Sequence, residues 1–215
     1  MKILVIGDQH TTGFGLPAGQ VGFVGHFVRQ ISRAGQAVTV ETHPSASLTE
    51  VRTLLSQLPL EHYDLIIWQS CEGCWSVPAR PTSRLLAAWQ WVRRQIPTRL
   101  AGAFGEQGNS AEQMTVLHLL RPHRHKVLIM TPVPTQNWQL HRWCEHGRQL
   151  LLRQGYQQGF SVFDTSRHIR PTPEYFLDSL STSLSAVAHE LIGRALFDFY
   201  QATPTIVAIR SVRKN

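Results

Sequence analysis

The residues best placed to do chemistry open the chain: Gly7-Asp8-Gln9-His10-Thr11-Thr12-Gly13-Phe14-Gly15. This glycine-rich turn follows an apolar run and sets a carboxylate, an amide, an imidazole and two hydroxyls side by side. A second group is Cys71-Glu72-Gly73-Cys74. A thiolate beside an imidazole is a nucleophile with its base, so Cys71 or Cys74 with His10 is one candidate pair. The same Cys-x-x-Cys is half of a zinc site, which needs a second such pair or two histidines at ligand spacing. His141 and His146 are five apart and do not share a helix face as cleanly as a spacing of four. A metal site from Cys71, Cys74 and His10 is therefore incomplete, and two structural, half-buried thiols are the simpler reading. With Cys144 the chain has only three cysteines, too few for an extracellular disulfide framework. No metal and no cofactor is assigned.

Apolar patterning says what must position these groups. Residues 2–7, KILVIG, read as a buried strand, and 19–34 carry Val21, Val24, Phe27, Val28 and Ile31 at helical spacing before Gly35. A second strand is expected at 37–42. Ser47 with Glu50 three residues on is a capping-box signature opening the next helix. Residues 63–70, YDLIIWQS, are apolar through their middle, as expected of a strand covered on both faces. Helices follow at 83–96 and near 110–120, with a polar, glycine-rich loop at 101–110 between them. Strand 127–134, helix 137–154, strand 160–165 and helix 183–200 complete the series. Strands separated by helices imply a three-layer α/β protein, a doubly wound parallel five-stranded sheet. Its ligands would sit beyond the C-terminal ends of the strands, where the two reactive groups fall. One domain is expected at 1–203, followed by a basic tail at 204–215.

The first turn resembles the opening block of the SGNH/GDSL hydrolases, G-D-S-x-T-x-G-x-G, at every fixed position except the serine, where Gln9 stands. The resemblance implies the flavodoxin-like fold of that clan over about residues 1–200. It also implies where the active-site pocket would lie: Asp8, Gln9, His10, Ser45, Ala46, Cys71, Glu72, Gly73, Cys74, Asp178 and Ser181. In the clan a glycine after strand two donates to the oxyanion; Ser45 or Ala46 holds that place here. Gly73 stands where the clan has an oxyanion-binding asparagine. Asp178-Ser179-Leu180-Ser181 keeps the acid of the D-x-x-H block and replaces its histidine.

These departures bear on the reaction. Glutamine has no transferable hydroxyl proton and a poor nucleophilic nitrogen, and Ser181 is no general base near neutral pH. Each lost oxyanion donor removes roughly 2.7–4 kcal/mol of transition-state stabilisation. The expectation is an SGNH-like protein without serine esterase activity, a binding or scaffold module with a cleft for a small polar or carbohydrate ligand, or for a protein. The alternative is an ester hydrolase or acyl transferase rebuilt on Cys71 or Cys74 and His10. Other polar groups have structural readings: Asp8 fixes its turn, and Asp178 caps or orients the final helix. Trp68, Trp89, Trp91, Trp138 and Trp143 belong to the core, whereas Trp75 sits in a post-strand loop able to line a pocket. His118, His123 and His125 fit a surface near a helix end.

Composition limits the partners. The 215 residues are 42% hydrophobic and 16% charged, an ordinary globular balance. No apolar run approaches the roughly 20 residues of a membrane span, and the first apolar stretch is short for a signal peptide, so a cytoplasmic location is expected. The net charge is +7, with one cluster at Arg121, His123, Arg124, His125 and Lys126 and another at Arg210, Arg213 and Lys214. Spread rather than striped, these charges read as a solvated surface and argue against nucleic acid; a basic surface for an anionic partner is the third reading.

Overall fold

In the computed structural model, residues 1–70, 111–177 and 183–203 are described, the side chains of Trp138, Gln139, Arg142 and Trp143 excepted. The expected helix 83–96, the loop 101–110, the tail 204–215, Trp75, Trp89 and Trp91 lie outside the described residues.

Strand β1 (Lys2–Gly7) lies next to the edge of a five-stranded sheet with β2 (Thr39–Pro44), β3 (Leu65–Gln69), β4 (Val127–Met130) and β5 (Ser161–Phe163). The strand order is β2-β1-β3-β4-β5, and every pairing is parallel. Helices α1 (Gln9–Thr12), α2 (Phe23–Arg33), α3 (Leu48–Gln57), α4 (111–120), α5 (Trp138–Gln157) and α6 (Ala186–Ala202) connect and cover it. Alternation along the strands divides the core in two. Ile3, Val5, Leu65 and Ile67 pack with Phe23, Phe27, Ile192 and Leu196 of α2 and α6. Leu4, Ile6, Ile66 and Trp68 pack with Val51, Val116, Leu117 and Leu151 of α3, α4 and α5. This is the three-layer, doubly wound architecture expected from the apolar pattern. Fully burying a Leu- or Ile-sized side chain stabilises by about 1.5–3 kcal/mol, so the two apolar faces of β1 alone anchor the sheet.

Several boundaries differ from the sequence pattern, each for a local reason. Helix α2 starts at Phe23 rather than 19, because Gly22 takes the extended N-cap conformation. The second strand is displaced to 39–44 because pairing, not apolar content, sets it: Lys2 faces Thr39 and Gly7 faces Pro44. The fourth strand stops at Met130, since Pro132 and Pro134 have no N–H for a ladder. The final helix starts at Ala186, where the Ser185 hydroxyl accepts from Ala188 N. Ser47 caps α3 as expected, its hydroxyl accepting from Glu50 N at 3.2 Å. The reciprocal bond of the capping box goes elsewhere, as shown below.

Candidate functional site

In the order 2-1-3-4-5 the winding reverses between β1 and β3, and the crevice beyond the ends of these strands is the place for a ligand. Strand β1 delivers Gly7, Asp8 and Gln9 to that crevice. Asp8 serves as the N-cap of α1: its Oδ1 accepts from His10 N at 2.9 Å, and its carbonyl accepts from the Thr11 hydroxyl at 2.7 Å. The structural role expected of it holds, and the turn hands Gln9 out to solvent as the first residue of α1. The Gln9 carbonyl is engaged by the Thr12 hydroxyl at 3.0 Å and by Phe14 N at 3.1 Å. Gly13 closes the turn with φ 75°, and a Cβ there would lie 2.7 Å from Gly22 N, so both its conformation and its space require glycine.

His10 does not stand beside Gln9 as a free base. Its side chain is buried, 3% exposed, and Nδ1 makes no hydrogen bond. The second buried imidazole of this region, His189 of α6, is 0% exposed and takes Phe23 N–H on Nδ1 at 3.1 Å. Burial first, then the nearby imidazoles of His10 and His26, push its pKa down to about 3. His26 is lowered too, again chiefly by burial.

The two residues expected to offer an oxyanion donor after β2 have their N–H groups engaged. Ser45 N donates to Gly7 O at 2.7 Å, which fastens the end of β2 to the end of β1. Ala46 N donates to Glu50 Oε2 at 2.8 Å, the bond a capping box would give to Ser47 N. Cys71, Glu72, Gly73, Cys74, Asp178 and Ser181 lie outside the described residues. The structure thus brings Asp8, Gln9, His10, Ser45 and Ala46 to one edge of the sheet.

Two features there were missed in the sequence pattern. Gln69, the last residue of β3, is 1% exposed with neither amide atom hydrogen-bonded. It lies against Gly7: a Cβ at Gly7 would be 2.9 Å from Gln69 Oε1 and 2.4 Å from Thr11 Cγ2. A buried primary amide at the crevice is an unanswered donor and acceptor pair. The other feature is Asp164, just after β5, with a buried carboxylate 3.3 Å from Arg148 Nε and 3.3 Å from Arg167 Nε. Thr131 and Thr165 share a 2.9 Å hydroxyl contact beside it. An aspartate ending a strand was its one sequence signal.

Elsewhere the readings hold in part. Trp68 is fully buried, and His118 and His125 are exposed, with His123 partly so. The basic cluster forms a 3-10 turn, Arg121–Lys126, in which Lys126 Nζ donates to Tyr63 O at 2.8 Å. Among the described residues no group of three or more His, Cys, Asp or Glu could hold a metal ion. No described helix is long and apolar enough to cross a membrane.

Neither a family model nor a curated protein matches the sequence. Solved structures do match in shape. A lipase from goat rumen metagenome superposes with a TM-score of 0.67 at 16% identity, covering 93% of this chain and 97% of its own. An acetylxylan esterase from Geobacillus stearothermophilus gives 0.61 at 14% identity, covering 97% of each chain. A G-D-S-L family protein from Desulfitobacterium hafniense gives 0.61 at 10% identity, covering 92% of this chain and 98% of its own. The chain has the SGNH/GDSL hydrolase fold. At these identities the likeness establishes architecture, and the chemistry must be argued from the site.

Proposed function

We propose that this protein is a non-catalytic SGNH-fold binding module that holds a small polar or carbohydrate ligand in the cleft at the head of β1. The observation that carries the reading is Gln9, exposed at the C-terminal end of β1 where the fold seats its nucleophile, while the imidazole of His10 beside it in sequence is buried. Three further points support it. Ala46 N–H is engaged by Glu50, and Ser45 N–H by Gly7, so neither is available to a developing oxyanion. His10 and His189 are both buried; Phe23 N–H occupies Nδ1 of His189, and burial pushes its pKa down to about 3. Gln69 leaves an unpaired amide beside Gly7, a polar group suited to fixing a ligand or a bound water. The esterase that this fold resembles acts on acetylated xylan, which favours a carbohydrate as the retained ligand class.

The test is hydrolysis of p-nitrophenyl acetate and butyrate by the protein and by a Cys71→Ala/Cys74→Ala variant. The expected trace is flat for both. Turnover that depends on the thiols would overturn the reading and establish the rebuilt hydrolase. Titrating xylotriose while following backbone amide shifts is expected to move Gly7 through Gly15 and Gln69.

A further inference from the structure

The buried amide of Gln69 does not stand alone at the head of β1. Side chains alternate across a strand, so Gln69 faces the same side of the sheet as Leu65 and Ile67, and Gly7 the same side as Ile3 and Val5. That is the side covered by α2 and α6. Gln69 and Thr11 meet there over Gly7, where a Cβ would lie 2.9 Å from Gln69 Oε1 and 2.4 Å from Thr11 Cγ2. His10, one residue before Thr11, is 3% exposed and near enough to the fully buried His189 to act on its ionisation.

The polar atoms of these three residues are orphaned together. Among the described residues nothing hydrogen-bonds Gln69 Oε1, Gln69 Nε2, His10 Nδ1 or His189 Nε2, and all four atoms are buried. The bond on the other side of the His189 ring fixes the character of the last. Nδ1 accepts from Phe23 N at 3.1 Å, so in the neutral imidazole the hydrogen sits on Nε2. His189 Nε2 is therefore a buried N–H donor with no lone pair for a metal ion. Gln69 adds donor hydrogens and an acceptor oxygen side by side. An unanswered buried donor or acceptor costs the fold its desolvation, so four of them in one layer call for a group that arrives from outside.

We infer that Gln69, His10 and His189 form the floor of the cleft at β1 and receive the uncharged hydroxyls of a sugar ring. This rests on the reading of that cleft as a ligand site. Ring hydroxyls fit because each donates and accepts at once: a donated hydrogen answers Gln69 Oε1, and lone pairs answer Gln69 Nε2–H and His189 Nε2–H. A charged group does not fit. The amide brings it no opposite charge, and Asp8 already commits Oδ1 to His10 N at 2.9 Å.

The test titrates methyl β-xyloside, and its tri-O-methyl ether with no hydroxyl donor, into the intact protein. The readouts are the side-chain N–H resonances of Gln69 and His189 and the backbone amides of Gly7 through Gly15. The glycoside is expected to move the Gln69 and His189 signals and the ether to leave them in place. Gln69→Met keeps the length of the side chain and removes both orphaned atoms. It is expected to weaken the glycoside at least about tenfold, the worth of one ordinary hydrogen bond, with the urea midpoint equal or higher. A lower midpoint would mean that the amide is already answered within the fold and would overturn the inference. So would equal binding of glycoside and ether, or undiminished binding by Gln69→Met. Shifts confined to Gly7 through Gly15 would keep the ligand site and sink this floor, whereas no binding at all would take down both. Turnover of p-nitrophenyl esters would instead sink the non-catalytic reading and leave these binding outcomes as they stand.

Discussion

His189 offers the sharpest quantitative check on how α6 is joined to the rest of the protein. Its imidazole is 0% exposed, accepts Phe23 N–H at 3.1 Å and stacks on the Phe23 ring at 6.1 Å between centroids. The pKa stands at about 3, against an ordinary 6.5, with burial the first cause. A base held neutral in the fold but free to protonate in the unfolded chain weakens the fold as pH drops below 6.5, and goes on doing so until about pH 3. Between pH 7.5 and pH 5 the unfolded chain passes about 1.5 pH units below that ordinary value, a loss of about 2 kcal/mol at about 1.4 kcal/mol per unit. His26, His123 and His168 are lowered in the same sense, so the intact protein loses more than this. Comparison with His189→Asn isolates the one residue, because the Asn Oδ1 can accept from Phe23 N and does not titrate. Urea unfolding at both pH values is expected to show the variant less stable at pH 7.5 and the gap between the two proteins narrowing by about 2 kcal/mol at pH 5. Parallel losses in the two proteins would refute a neutral, buried His189.

Gly193→Ala would place a Cβ 2.5 Å from His26 Cβ and 2.7 Å from Phe23 O, where α6 crosses α2. A helix-interior alanine ordinarily gains up to about 1 kcal/mol, but this one is expected to lose about 1–3 kcal/mol through overpacking; a rise in the unfolding midpoint would disprove the contact. Ser47→Ala removes the acceptor for Glu50 N and is expected to cost about 1 kcal/mol in urea unfolding. An unchanged midpoint there would mean that the Glu50 bond to Ala46 N suffices to hold the first turn of α3.

The site was legible only in part, and the split has a physical cause. Apolar runs such as KILVIG and LIIWQ announce strands because burial on both faces demands it, and the glycine pattern from Gly7 to Gly15 announces a tight turn because few residues can make one. From those, the doubly wound sheet and the exposed seat of Gln9 followed. Strand ends were less legible, since pairing with β1 and missing proline N–H groups set them rather than composition. What only the tertiary structure decided was the fate of individual polar groups. His10 beside Gln9 in sequence is buried in space, and His189 caps a helix whose first residue is 166 positions away. Glu50, read as the partner of Ser47, instead engages Ala46 N–H, and Gln69 lies unpaired against Gly7. Periodicity reports which face a side chain takes along its own element; hydrogen-bond partners and burial depend on which elements are packed against it. Gln9 was given by the chain's own order, but its exposure beside a buried His10 was given by the fold.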